Sequence, residues 1–149
     1  MKRSVLVVAV MLLGVGAVAA QQDLIEQSHA QMKANGKAVG GTLSPMARGE
    51  KPYDQAAIDA ALAQLDETAK KLPSLYPASV KDVKQTSEYT PSPKIWEDRA
   101  GFDAAIANFG KAVTEAKGKI KDADSLKATL PTIGKSCSGC HETFRVKNS

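Results

Sequence analysis

Near the C-terminus the chain reads Cys137-Ser138-Gly139-Cys140-His141, and these are the only two cysteines among 149 residues. Two thiols three residues apart share one helical turn. There they can add across two vinyl groups on adjacent pyrroles of a porphyrin. A histidine directly after the second cysteine then projects over the macrocycle and offers an imidazole nitrogen to iron. The pattern is the attachment signature of covalent haem c, with Cys137 and Cys140 as thioether donors and His141 as the proximal iron ligand. Three other chemistries compete. A local disulfide would leave the adjoining histidine without a role. A structural zinc site wants four ligands, which requires His29 to join the motif. A thioredoxin-like pair belongs at a helix start in a βαβ context that this sequence does not offer.

The second axial position is constrained by what surrounds the motif. Only eight residues follow His141, and none is methionine or histidine. A sixth ligand must therefore come from upstream, where Met32, Met46 and His29 are the candidates once Met1 and Met11 are set aside with the N-terminal segment. Met32 lies on an apolar stripe and is the first choice; otherwise it packs as core against an open iron face. His29, three residues before it, falls off the edge of the stripe and reads as solvent-facing. Met46 sits behind Pro45, where it reads as core filler.

Four helical segments can position these groups. Residues 22–47 place Ile25, Ser28, Met32, Gly36, Val39, Leu43 and Met46 on one face at spacings of three and four. Gly36, Gly40 and Gly41 cost about 1 kcal/mol each in a helix interior. They make room for a close neighbour, either haem or another helix, unless the segment frays before Pro45. Asp54 is the expected N-cap of a second helix, 55–72, with Ala57, Ile58, Ala61, Leu62, Leu65, Ala69 and Leu72 inward. A proline-rich crossover leads to a third helix, from about Pro93 to Ile120, whose buried side includes Ile95, Trp96, Phe102, Ile106, Phe109 and Val113. The Asp122-Ala123-Asp124 stretch caps a fourth, from Ser125 to about Lys147, kinked at Pro131. With short first and third loops and no convincing strand, the pattern predicts an all-α, antiparallel four-helix bundle. Seven aromatics leave such a bundle short of core volume, a deficit that a buried porphyrin would fill.

The N-terminus adds a destination. Met1-Lys2-Arg3 precedes an apolar run, and Ala17-Val18-Ala19-Ala20 supplies an A-x-A-type cleavage site. Residues 1–20 are expected to be a signal peptide and 21–149 the mature domain. The mature form then has no membrane span, since the run is too short and glycine-interrupted for one. Lys2 and Arg3 account for two of the four net positive charges, and two haem propionates would offset the rest. Nucleic acid is excluded as a partner, because no basic tract with interleaved aromatics occurs.

These segments together resemble the class II c-type cytochromes, the cytochrome c-prime family. The likeness is carried by Lys51-Pro52-Tyr53-Asp54, by Pro93-Lys94-Ile95-Trp96-Glu97 and by residues 134–145, and it covers essentially all of 21–149. It implies one of two behaviours. Typical members hold a five-coordinate, high-spin haem with an apolar distal face that binds NO and CO. The cytochrome c-556 branch is low-spin, with a helix-one methionine on iron, and Gln31-Met32-Lys33-Ala34-Asn35-Gly36 is similar to that branch. The resemblance also implies a basic residue four after the histidine, matched by Arg145, next to the imidazole or a propionate. An arginine common in the family four residues before the distal position is replaced here by Ser28. The expected protein is thus a periplasmic one-electron carrier, not an enzyme, that meets redox partner proteins. Homodimers through the first two helices are a further implication of the likeness. The alternative is the NO- and CO-binding form.

Overall fold

The computed structural model describes residues 3–85 and 87–148, with side chains described from Val18 onward. The signal-peptide expectation therefore falls largely outside the described side chains. Six α-helices lie among the described residues: α1 (Arg3–Gly36), α2 (Ser44–Ala47), α3 (Gln55–Leu75), α4 (Lys94–Glu97), α5 (Arg99–Lys119) and α6 (Ala123–Phe144). They form four rods, α1 with α2, α3, α4 with α5, and α6, so the bundle matches the expectation. The packed pairs are α1 on α3, α3 on α5, α5 on α6, and α2 on α6.

The first rod is not a continuous α-helix. Lys37–Leu43 is a π-helical segment, and the Ser44 N–H donates to the Val39 carbonyl, five residues back. Pro45 explains the local stress. It has no N–H for the carbonyl four residues earlier, and the Gly41 carbonyl is instead taken by the Lys51 ammonium at 2.8 Å. A Cβ at Gly36, Gly40 or Gly41 would meet no atom within 4 Å. Close helix packing is therefore not what these glycines serve. They lower helix propensity where the register widens.

Asp54 caps α3 as expected, accepting from the Ala57 N–H at 3.1 Å. The helix runs through Pro73 to Leu75, beyond the expected end at Leu72. Arg99 takes up the loose carbonyls there, donating to Pro73 at 2.9 Å and Tyr76 at 3.0 Å. The third rod is broken at Asp98, which ends α4 and caps α5 by accepting from the Gly101 N–H at 2.9 Å. An aspartate that competes for backbone donors ends one helix and starts the next. Asp122 and Ser125 form a reciprocal capping box at the start of α6. That helix stops at Phe144, not near Lys147. Residues Arg145–Lys147 (β2) instead pair antiparallel with Tyr89–Pro91 (β1), a two-stranded ribbon absent from the sequence expectation.

Between α1 and α3 the fully buried Thr68 hydroxyl lies 2.8 Å from both Gln31 Oε1 and Asn35 Oδ1, and it accepts from Gln64 Nε2 at 3.2 Å. Thr68→Val should lower stability by about 1 kcal/mol, the usual worth of a buried hydrogen bond, as read from a urea titration. Asp66 ties α3 to α5 through Lys117 at 2.7 Å and accepts from Lys70 at 2.9 Å. The Lys117 and then the Lys70 hydrogen bonds hold its carboxyl below the ordinary range. A depressed folded pKa stabilises above the unfolded carboxylate value and loses that contribution as pH falls through the folded one. Asp66→Asn should thus cost up to about 1 kcal/mol at neutral pH. The difference from wild type should shrink in urea melts as pH falls through the folded carboxyl's lowered range and vanish below it, because both side chains are then neutral.

Candidate haem site

The buried side chains form two clusters. The first is aliphatic apart from Phe109 and runs through Leu43, Met46, Ile58, Leu62, Leu65, Val113, Leu126 and Ile133. The second gathers Leu72, Leu75, Tyr76, Ile95, Phe102, Ile106 and Phe144, with Trp96 packed against it. Its rings meet edge to face: Tyr76 lies 5.5 Å from Phe102, and Phe102 lies 5.3 Å from Phe144. Four of the seven aromatics thus collect at one end of the bundle.

The motif on α6 joins the two. Cys137 packs against the first cluster and Cys140 against the second. Both thiols are free and half-buried, and burial pushes both upward from the ordinary thiol range. His141 is half-buried at an open cleft of about 480 Å³, which is also lined by Gly134, Cys137, Ser138, Glu142 and Arg145. Burial, and then the Arg145 charge, lower the His141 pKa, which favours the neutral imidazole that can bind a metal.

The upstream candidates separate. Met32 is half-buried against the second cluster, the one that Cys140 joins. His29 is exposed, with Nε2 3.4 Å from Ser87 Oγ on the crossover, and is not among that cluster's neighbours. Met46 is buried in the first cluster as core, as expected. Arg145 is exposed and extended instead of lying one helical turn beyond His141, yet it reaches the His141 cleft. Ser28 is buried, and its hydroxyl donates to the Ile25 carbonyl at 2.8 Å. Among the described residues no three His, Cys, Asp or Glu side chains converge on a common point, so the zinc alternative lacks its geometry.

Two residues were not legible beforehand. Tyr76 is buried in the cluster that Cys140 joins, and that burial raises its pKa. Tyr89 places its ring 4.2 Å from the Arg145 guanidinium. Each is brought to the site by the crossover, and no local motif marks either.

The donor set fits haem c. Two thiols on one turn and the next imidazole stand between an aromatic, apolar cluster and an open cleft. The family model for cytochrome c′ matches residues 23–145. The chain belongs to the cytochrome c′ family. Cytochrome c-556 of Rhodopseudomonas palustris is 56% identical over 148 residues, covering 99% of each chain. Cytochrome c′ of the same organism is 40% identical, covering 96% of this chain and 95% of its own. An NMR-validated structure of oxidized R. palustris cytochrome c556 superposes with a TM-score of 0.76 at 57% identity, covering 86% of this chain and 99% of its own. The protein is a c-type cytochrome of the electron-carrier kind, with one covalently attached haem c. No helix among the described residues is long and apolar enough to cross a membrane.

Proposed function

We propose that this cytochrome is a low-spin, periplasmic one-electron carrier. Cys137 and Cys140 hold the haem by thioether bonds, His141 binds iron on one side, and Met32 binds it on the other. The observation that carries the reading is the placement of Met32 against the cluster that Cys140 joins, while His29 faces solvent. The similarity to cytochrome c-556 supports the same choice.

The haem, when bound, supplies an iron that alternates between two oxidation states. The chain's own residues set how easily it does so. A thioether on the sixth position favours low spin and a raised potential. Little then needs to move between the two states, which suits a carrier more than a catalyst. Met32 packs against an apolar, aromatic cluster, which limits water on that side. Tyr76, buried in the same cluster, has its pKa raised by that burial and stays protonated and neutral. His141 and its cleft face outward, toward redox partner proteins. Export fits the N-terminal pattern, with cleavage after Ala20, and the family match begins just beyond it at residue 23. An intact mass retaining Met1 would contradict cleavage.

The ferric absorption spectrum tests the reading. A low-spin Soret band with a weak far-red charge-transfer band, lost in Met32→Ala, is the expected result. A high-spin spectrum unchanged by Met32→Ala would overturn it in favour of the five-coordinate NO- and CO-binding form. Low-spin character kept in Met32→Ala but lost in His29→Ala would instead point to two histidine ligands.

A further inference from the structure

We propose that Tyr89 is a positioning residue: its ring, carried on β1, holds the Arg145 guanidinium at the His141 cleft, so that a fixed positive charge raises the reduction potential. The proposal rests on the proposed function only in taking His141 as the iron ligand. It is independent of Met32.

The ribbon's register builds the arrangement. Tyr89 pairs with Lys147, Thr90 with Val146, and Pro91 with Arg145. Successive side chains alternate faces, so Tyr89, Pro91, Arg145 and Lys147 share one face. Tyr89 and Arg145 are diagonal neighbours, a separation that aromatic and long side chains can bridge. The guanidinium carbon sits 4.2 Å from the ring centroid, a close cation–π contact. Lys147 lies farther off, at 6.0 Å, and is drawn aside by Glu88 at 3.6 Å. The ring is thus left to the arginine. Among the described residues no carboxylate oxygen comes within 4.0 Å of Arg145 as an ion-pair partner. The ring is therefore the contact that holds the guanidinium.

The ribbon itself is tied down at both ends. The Ser92 N–H donates to the Phe144 carbonyl at 3.0 Å, and the Asn148 N–H donates to that of Glu88 at 2.8 Å. Asn148 Nδ2 donates to the Ser87 carbonyl at 2.6 Å. A tethered ring reduces the freedom of a long side chain that would otherwise sample solvent. A positive charge held near iron disfavours the ferric state more than the ferrous one, and the effect weakens as the charge moves out into water.

Spectroelectrochemical titration of the holoprotein tests this. Tyr89 is 37% exposed, so the fold should tolerate Tyr89→Val, and Tyr89→Ile guards against a loosened ribbon. Each should shift the iron toward the ferric state about threefold, or about 28 mV at 59 mV per tenfold for one electron. Arg145→Gln should shift it by at least as much. Combining Tyr89→Val with Arg145→Gln should add nothing further, and Tyr89→Phe, which keeps the ring, should match wild type. An unmoved potential in both aliphatic variants would overturn the proposal, as would an equal shift in the Arg145→Gln background. A wild-type protein lacking a haem spectrum would overturn the haem assignment and this proposal with it. A normal spectrum with an unmoved potential overturns the clasp alone.

Discussion

Haem should remain on the denatured wild-type chain and should disappear when Cys137 and Cys140 are both replaced by alanine. Haem-stained denaturing gels read this as an all-or-none effect. The reasoning is covalent: thioether bonds survive unfolding, whereas an iron–imidazole bond does not. Both thiols are half-buried on one turn of α6, each against a different cluster. Single variants should differ from the double one. Cys137→Ala and Cys140→Ala each leave one thioether, so stain should persist. One vinyl group then stays in conjugation with the ring, which shifts the alkaline pyridine haemochrome to longer wavelength. Stain retained by the double variant would contradict the attachment.

Met32→Ala should convert the protein from low-spin to high-spin, lower its reduction potential, and let the ferrous form bind CO. The sulfur is the only group proposed for the sixth position, and methionine ligation raises the potential. Removing it opens a site walled by apolar and aromatic side chains, which suits a small uncharged diatomic. The substitution also removes a half-buried side chain, so a stability loss of about 2 kcal/mol is expected. Met46→Ala is the control. Met46 is buried in the other cluster, so the loss should be similar or larger while the spectrum stays that of wild type. If both variants altered the spectrum alike, general loosening would explain the result better than ligation.

What the sequence made legible follows from how local each feature is. Thioether attachment needs three residues on a single turn, so Cys137, Cys140 and His141 are readable in a five-residue window. The rods are readable because Ile58, Ala61, Leu62, Leu65, Ala69 and Leu72 repeat at helical spacing. The break at Asp98 is less visible, since an apolar stripe continues from Ile95 through Phe102 across it; the cap on Gly101 decides it. The π-helical segment carried a signal in Gly40-Gly41 followed by Pro45, but the glycines also fitted a close-packed helix. The ribbon was hidden for a different reason. Its strands are three residues each, one holds a proline, and their partners lie more than 50 positions apart. Short pairings between distant segments leave no periodicity to find. The role of Arg145 changed accordingly: the resemblance implied a helical neighbour of His141, whereas the residue begins a strand and reaches the cleft from there.

Proton NMR of the reduced protein reads iron ligation by Met32 directly. Low-spin ferrous haem is diamagnetic, and its ring current moves protons held over the iron far upfield. A three-proton methyl resonance well upfield of the protein envelope is expected in wild type, retained in Met46→Ala and absent in Met32→Ala. A reduced protein without that resonance, or one that keeps it in Met32→Ala, would contradict the account.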